Sequence, residues 1–310
     1  MSTIRRYRCI AFDAVGTLIH PTPPPGEVYF QVGRRFGSKL SVDEMTARFR
    51  QAFRDAERAD FDGASGRLLA TSEEHEKERW RQIVAAVIDD IADSGGCFEE
   101  LFAHFASPRS WSCFDEVPDV LAELKQAGYR LAIASNFDSR LHAVSDGTPA
   151  LKPIDLRVIS SEVGCRKPAR PFFEALVAVA GCRAEEVLMV GDDFVNDVEG
   201  ARQAGLGAVF VDRRHRAEEV LSAASVNFDD FSNRPSKLSC DHWPSSAPAT
   251  ESKPGTLFVH AEPGISFGNV SKMLVSSDHR GGAFASGPGP GGRSGTSRPR
   301  PARRHHRHRG

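Results

Sequence analysis

The chain has no Cys-x-x-Cys pair, although it contains six cysteines. Cysteines scattered in this way fit neither a disulfide framework nor a structural zinc site, so we expect reduced, mostly packed thiols. The sequence also has no apolar run near the length of about 18 residues that a membrane span needs. Its basic N-terminus runs into the first predicted strand without a hydrophobic leader segment. These absences predict a cytoplasmic protein that does not associate with membranes.

Acidic residues are missing from the C-terminal end of the chain. All 41 aspartates and glutamates precede residue 280, whereas eight of the 40 lysines and arginines lie from Arg280 onward. Residues 1–279 therefore carry a net charge of −9 and residues 280–310 carry +8. An acidic body argues against an extended nucleic-acid-binding face on the folded part of the chain. We expect no nucleic-acid binding except weak attraction to the basic tail.

The chain has 310 residues, of which 40% are hydrophobic, so it can bury a sizeable core. Apolar residues with helical spacing dominate residues 41–105, and an earlier helical pattern follows a proline-rich turn at residues 21–26. Two capping-box patterns, Ser41 with Glu44 and Thr71 with Glu74, predict the starts of two helices. Four helices with no strand between them predict a small bundle that packs its aromatic stripes inside.

Strands and helices alternate in the second half of the chain. This rhythm predicts an α/β fold with a Rossmann-like parallel-sheet core, covered on both faces by helices. The first strand precedes the helical block, so the block is an insertion after strand one. We assign residues 1–20 and 113–232 to the core and residues 21–112 to the helical insertion. The predicted strands are residues 9–13, 131–134, 156–160, 187–190 and 208–211, and the predicted helices of the core are residues 117–127, 139–144, 171–180 and 195–204.

Serine, proline and glycine dominate residues 233–310, which end in an arginine- and histidine-rich stretch. Low-complexity sequence of this kind cannot bury enough apolar surface to offset the entropy of ordering. The sequence predicts a disordered C-terminal tail, in which residues 256–260 offer at most an isolated strand.

Polar side chains follow several of the predicted strands at the point where each strand ends. Taken singly, such residues are ordinary turn and helix-capping chemistry. Their shared position points to a site, because ligands of open α/β sheets bind at the carboxyl ends of the strands. The residues concerned are Asp13, Ser135 with Asn136, Lys167, and the acidic group Asp192, Asp193 and Asp197.

A second carboxyl group is missing beside Asp13. A carboxylate at the end of a buried strand is well placed to act as a nucleophile. Phosphoryl transfer would also call for a nearby acid that protonates the leaving oxygen. Val15 occupies the position from which such an acid would most simply come.

Together these motifs resemble the four motifs of the haloacid dehalogenase superfamily, and the inserted helices resemble its α-helical C1 cap. The resemblance covers about residues 5–215. The segments 25–29, 135–141 and 160–164 resemble the rhythmically expressed branch of that superfamily, whose members are largely uncharacterised hydrolases.

The resemblance implies catalytic roles for residues of the four motifs. Asp13 would be the nucleophile that forms an aspartyl intermediate. Thr17 and Ser135 would hydrogen-bond the transferring group, and Lys167 would balance the charge between nucleophile and substrate. Asn136 belongs to the same implied catalytic set.

The resemblance also implies a Mg²⁺ site made only of oxygen ligands. Asp13, Asp192 and the backbone carbonyl of Val15 would hold the metal. Asp193 and Asp197 would support these ligands from the second layer of residues, with Asp197 orienting the others. Because residue 15 contributes only its main-chain oxygen, this metal site is compatible with a valine.

Val15 leaves the reaction open at this stage. Phosphatases of the superfamily carry aspartate at this position, and losing a general acid-base group typically costs ~10²- to 10⁴-fold in rate. Haloacid dehalogenases carry a bulky non-acid there, work without metal and lack the carboxylate that corresponds to Asp192. Their halide-binding arginine would here be Arg50, although an arginine on a charged helix is more often simply solvated. Asp192 and Asp193 together favour a cation.

The predicted function is therefore Mg²⁺-dependent, phosphatase-type hydrolysis of a small anionic phosphorylated metabolite. The first alternative is a metal-independent 2-haloacid dehalogenase. The second is a catalytically weak protein that binds phosphate and metal.

Overall fold

The structure is a computed structural model that describes residues 7–62, 69–213 and 258–260. All of them belong to one compact unit, Met1–Ser277. Its main sheet has six strands in the order β5-β4-β1-β6-β7-β8, and a second sheet pairs β2 with β3. The strands are β1 Cys9–Phe12, β2 Ile19–Pro21, β3 Trp111–Cys113, β4 Arg130–Ser135, β5 Leu156–Ile159, β6 Val187–Gly191, β7 Gly207–Asp212 and β8 Phe258–His260.

Strand β1 lies at the centre of a parallel arrangement. It pairs in parallel with β4 on one side and with β6 on the other, and all four of its residues are buried. Ile10 and Phe12 join one hydrophobic cluster, whereas Cys9 and Ala11 join another, because successive side chains of a strand point to opposite faces. Helices cover both faces, so the predicted α/β class and parallel core are confirmed.

Helices follow the strands as the sequence pattern predicts, with one short helix that it missed. Residues 160–163 were expected to lie in a strand end and a polar loop, but they form a helix that ends at Gly164 in a left-handed conformation. The predicted helix at 195–204 divides into a π-helical turn, Phe194–Glu199, and a short α-helix. The helices are α1 Pro25–Arg35, α2 Val42–Asp62, α3 Glu73–Val87, α4 Ser94–Ala106, α5 Val117–Gln126, α6 Arg140–Asp146, α7 Ser160–Val163, α8 Arg170–Ala180 and α9 Gly200–Gln203.

The inserted helices α1–α4, which we call the cap helices, lie between β2 and β3. Their shared core includes Tyr29, Met45, Val87 and Phe98. Aromatic rings of the predicted stripes contact one another here, as Tyr29 and Phe49 do at a centroid distance of 5.0 Å. These stripes therefore pack the helices together. The domain limits at residues 20/21 and 112/113 stay a prediction.

One predicted capping box is present and the other is wrong. Ser41 and Glu44 exchange hydrogen bonds between side chain and main chain, as a capping box requires. Helix α3, by contrast, is capped by Ser72, whose side chain accepts from the main-chain nitrogen of His75. The hydroxyl of Thr71 instead donates to the carboxylate of Glu76.

The structure adds two short pairings that the sequence pattern did not predict. Strands β2 and β3 pair antiparallel at the two ends of the insertion. Strand β8 pairs antiparallel with β7, so part of the segment predicted as at most an isolated strand belongs to the main sheet. The other residues of the predicted tail lie outside the described ranges. No helix in the described part of the chain combines the length and apolarity of a bilayer-spanning segment.

Candidate active site

Asp13 lies directly after the central strand, at the carboxyl edge of the sheet. Its main-chain N–H donates to the oxygen of Val190 on β6, which extends the ladder by one bond. Because β4 and β6 flank β1, Ser135 at the end of β4 and Asp192 directly after β6 lie on either side of Asp13. Parallel topology alone therefore brings these motifs together.

Lys167 lies buried against Asp13. Its ammonium group donates to Oδ1 of Asp13 at 2.8 Å, to Oδ1 of Asp197 at 2.6 Å and to the main-chain oxygen of Ala134 at 2.8 Å. Burial by itself would lower the pKa of Lys167, but the charges of Asp13 and Asp197 outweigh it and raise that pKa above its usual range. Lys167 therefore remains a cation at any working pH.

The two oxygens of the Asp13 carboxylate have different surroundings. Oδ1 accepts from the hydroxyl of Ser135 at 3.0 Å as well as from Lys167. Among the described residues, no hydrogen-bond donor lies against Oδ2. One oxygen is thus held in place, and the other remains available for chemistry or for a ligand.

Asn136 contacts the main chain of Lys167 and not Asp13. Its amide nitrogen donates to the Lys167 oxygen at 3.1 Å, and its amide oxygen accepts from the Lys167 nitrogen at 2.8 Å. This pair of bonds joins the loop after β4 to the loop that carries Lys167. Asn136 therefore sets the position of Lys167.

Thr17 and Gly16 place the turn after β1 against Asp192. The hydroxyl of Thr17 donates to Oδ1 of Asp192 at 3.0 Å. Gly16 has a φ of +96°, and a Cβ built on it would lie 2.3 Å from Oδ2 of the same carboxylate. Only glycine fits there, so the main chain of the turn approaches Asp192 closely. Thr17 thus helps to orient Asp192, and its expected contact with the transferring group stays a prediction.

Three carboxylates converge at this edge. Oxygens of Asp13, Asp192 and Asp197 all lie within 4.8 Å of one another. Asp197 is 1% exposed, and its second oxygen accepts from the main-chain nitrogen of Asp193. The Asp193 carboxylate itself accepts from the main chain and the side chain of Asn196, as the cap of the π-helical turn. Asp193 thus shapes the loop, while Asp197 joins the carboxylate group.

Val15 is 37% exposed, which is unusual for a large apolar residue in this chain. It forms an isolated bridge with Ile19, and the nitrogen of the next residue, Gly16, donates to the oxygen of Ile19. The turn is thus closed by main-chain bonds that do not depend on the side chain at position 15. Arg50, the arginine considered for a dehalogenase, is exposed on α2.

Sequence reasoning missed Arg213, which follows β7. Its guanidinium donates to the main-chain oxygens of Gly16 and Thr17 at 3.0 and 2.7 Å, and it stacks 3.5 Å from the ring centre of Phe114. Arg213 also pairs with Glu116 at the start of α5. The signal was available, because Arg213 lies after a predicted strand just as the other site residues do.

The sequence pattern also did not predict the contacts between the cap helices and the core. The Glu73 carboxylate accepts from the main-chain nitrogen and the hydroxyl of Ser139, and also from the hydroxyl of Ser161. Arg140 pairs with Asp138 in the core and stacks 3.7 Å from the ring centre of Phe102 on α4. The cap helices are therefore bonded to the loop that follows β4 and to α7, which follows β5.

Comparison with known proteins agrees with this geometry. The family model of haloacid dehalogenase-like hydrolases matches residues 7–205. The chain belongs to this family and is a hydrolase of the haloacid dehalogenase superfamily.

Three curated relatives align with this chain over most of their own length. Haloacid dehalogenase-like hydrolase domain-containing protein 3 of Homo sapiens is 28% identical over 66% of this chain and 82% of its own. The rhythmically expressed gene 2 protein of Drosophila melanogaster is 25% identical over 70% and 87%. Phosphoserine phosphatase of Thermus thermophilus is 26% identical over 72% and 96%. The expected resemblance to the rhythmically expressed branch is confirmed.

Solved structures share the fold at lower identity. The HAD-hydrolase YfnB from Bacillus subtilis, bound to magnesium, has a TM-score of 0.52 at 20% identity and covers 66% of this chain and 87% of its own. L-2-haloacid dehalogenase from Xanthobacter autotrophicus, with chloropropionic acid covalently bound, has a TM-score of 0.51 at 20% identity and covers 70% and 83%. Both structures share the fold of this chain.

Proposed function

We propose that this chain is a Mg²⁺-dependent phosphatase that hydrolyses a small phosphorylated metabolite through an aspartyl intermediate at Asp13. The observation that carries the proposal is the acidic group of Asp13, Asp192 and Asp197, whose oxygens lie within 4.8 Å of one another. Lys167 offsets part of this charge through Asp13 and Asp197. A group of carboxylates this close together favours a bound cation.

The residues present fit a magnesium ion. The donors are all oxygens, which is the ligand type that Mg²⁺ prefers. The turn at Gly16 lies directly against the Asp192 carboxylate, which favours a shared role for Asp192 and the main-chain oxygen of Val15. Asp13, Asp192 and that oxygen would hold the ion, with Asp193 and Asp197 around them. When bound, Mg²⁺ would neutralise charge on the phosphoryl oxygens.

Asp13 is suited to attack phosphorus. Lys167 and Ser135 hold its Oδ1 and fix the orientation of the carboxylate. Because Lys167 remains charged, it would also attract the phosphoryl group and stabilise the charge that develops on it. Asn136 would keep Lys167 in place by bonding its main chain on both sides.

The metal-independent dehalogenase remains the second candidate, because Val15 provides no proton and halide needs none. Asp192 speaks against it, because its carboxylate lies within 4.8 Å of those of Asp13 and Asp197, and an acidic group of this kind disfavours an anionic haloacid. The third candidate, a weakly catalytic protein that binds phosphate and metal, also follows from Val15. In each case the ligand is a small anion. We also propose a cytoplasmic location and weak attraction of nucleic acid to the basic tail.

A substrate screen tests the proposal. Phosphate release from a panel of phosphorylated metabolites is measured with Mg²⁺ and with EDTA, alongside chloride release from 2-chloropropionate, and Asp13→Asn is the control variant. We expect Mg²⁺-dependent phosphate release that the control lacks. Chloride release that does not need Mg²⁺ would overturn the phosphatase. Tight Mg²⁺-dependent ligand binding with no turnover above the control would favour the third candidate.

A further inference from the structure

The carboxylates that face the core from the cap helices are mostly committed to other groups. Asp60 on α2 accepts from Nε of Arg79 at 2.9 Å and from Nη1 of Arg166 at 2.7 Å. Glu76 on α3 accepts from Thr71 at 2.7 Å and lies 3.5 Å from Arg166. The carboxylates of Asp60 and Glu76 are held in ion pairs or hydrogen bonds, so they are poorly placed to exchange a proton with a ligand.

Glu57 is different. It is half-buried on α2. Within the described ranges 7–62 and 69–213, no hydrogen bond or ion pair occupies its carboxyl group. An acid this close to the core and without a fixed partner is free to exchange a proton with a ligand.

The position of Glu57 directs it toward the catalytic edge. It precedes Asp60 by three residues, so the two lie on the same face of α2. Asp60 bonds Arg166, which immediately precedes Lys167 in the chain. The face of α2 that carries Glu57 and Asp60 is therefore bonded to the segment that leads into Lys167.

We propose that Glu57 is the general acid and base of the reaction, supplied by the cap helix α2 in place of the acid that Val15 cannot provide. This inference rests on the proposed phosphatase function.

The proton balance is complete with Glu57 alone. As Asp13 bonds to phosphorus and the bond from phosphorus to the ester oxygen breaks, protonated Glu57 gives its proton to that oxygen and becomes a carboxylate. A water molecule then attacks phosphorus and loses a proton to Glu57 while the bond from phosphorus to Asp13 breaks. The products are the alcohol, inorganic phosphate, the free Asp13 carboxylate and protonated Glu57.

The electrostatics of the site support this role. Burial, and next the charge of Asp193, raise the pKa of Glu57 to about 7, against the opposing effects of Arg79 and Arg166. The nearby charge of Asp60 acts in the same direction as Asp193. A general acid-base works best when its pKa lies near the working pH. A group of this kind is present in both protonation states near neutrality.

The test compares Glu57→Gln with Glu74→Gln, a matched change at an exposed position on α3. On an alkyl phosphate we expect Glu57→Gln to lower kcat by ~10²-fold with little change in KM, and the control to leave both unchanged. On p-nitrophenyl phosphate, whose phenolate leaves without a proton, Glu57→Gln should keep the first rapid release of phenolate while later turnovers slow. A merely structural role would not separate these two phases.

Val15→Asp supplies the second arm. In the wild-type background we expect it to raise kcat less than about tenfold, because Glu57 already serves; in the Glu57→Gln background it should restore ~10²-fold. A folding defect would not be rescued by a carboxyl group on the core turn.

The outcomes separate the two proposals. If wild-type protein is active and Glu57→Gln behaves like Glu74→Gln, the role of Glu57 is refuted and the phosphatase stands. If wild-type protein releases no more phosphate than Asp13→Asn, the phosphatase is refuted and the role of Glu57 with it.

Discussion

The ammonium group of Lys167 donates to Oδ1 of Asp13 across 2.8 Å, and the Lys167 side chain is only 2% exposed. Its other partners are Asp197 and the oxygen of Ala134, so the pairing fixes the orientation of the Asp13 carboxylate from inside the protein. A buried cation between two carboxylates satisfies charges that would otherwise be costly to bury. In the proposed reaction, stability and catalysis would therefore depend on the same side chain.

Lys167→Met tests this dependence, because it leaves Asp13 and Asp197 without their cation. We expect loss of phosphate release and a fall of about 3–5 kcal/mol in the free energy of unfolding at pH 8, measured by urea denaturation. Burial raises the pKa of Asp197 and Lys167 opposes that rise, so without Lys167 the pKa of Asp197 should rise further and the stability loss should shrink as the pH falls. Lys125→Met removes an exposed partner of Asp155 and should cost about 0–1 kcal/mol. Equal losses in the two variants would contradict the prediction.

Thr17 provides a prediction about metal affinity. Its hydroxyl donates to Asp192 at 3.0 Å, so Thr17→Val should let the carboxylate turn and weaken Mg²⁺ binding by about 10- to 100-fold. Thr17→Ser keeps the hydroxyl and should bind nearly as the wild type does. Isothermal titration with Mg²⁺ alone gives the affinities without relying on turnover. Unchanged affinity in Thr17→Val would show that Asp192 needs no such support.

Arg213 provides a prediction about the turn that follows β1. Its guanidinium bonds the main-chain oxygens of Gly16 and Thr17, and a lysine cannot reproduce this forked geometry. We expect Arg213→Lys and Arg213→Ala both to lower kcat by about tenfold and to raise the Mg²⁺ concentration needed for half-maximal activity. Arg170→Ala, at an exposed ion pair on α8, is the control and should change neither value. If Arg213→Ala keeps the wild-type kcat and Mg²⁺ dependence, Arg213 has no role in the site.

Glu57 provides a prediction about stability and pH. Its pKa is about 7 in the folded protein, above its ordinary value of 4.5. A carboxyl group whose pKa is raised by folding gives stability that is complete below the ordinary value and is lost as the pH rises through 7. Glutamine does not ionise and so does not lose this stability. The free energy of unfolding of Glu57→Gln should therefore exceed that of the wild type by about 2–3 kcal/mol at pH 8 and by almost nothing at pH 4.5. Urea midpoints across this range measure the difference. The same advantage at every pH would show that Glu57 does not titrate near 7.

Much of the fold and the main site follow from local signals. Apolar strands followed by polar residues are visible in the chain, and parallel topology obliges the ends of β1, β4 and β6 to meet at one edge. For this reason Asp13, Ser135 and Asp192 could be placed together without a structure. The sequence pattern does not identify the helix cap where two neighbouring residues both carry a hydroxyl group. Ser72 rather than Thr71 caps α3, because the hydroxyl of Thr71 is drawn to Glu76.

The sequence by itself determined the α/β class, the insertion of helices after the first strand of the main sheet, and the absence of an acid at Val15. These features depend on residue types and spacings within a few positions of one another. Only the tertiary structure decided which groups touch. Thr17 bonds Asp192 across 175 positions and Arg213 bonds Thr17 across 196. Such contacts depend on how whole elements pack and on how each side chain is turned, and no local pattern encodes either. The bond between Asp60 and Arg166, which joins the Glu57 face of α2 to the segment before Lys167, belongs to this second kind.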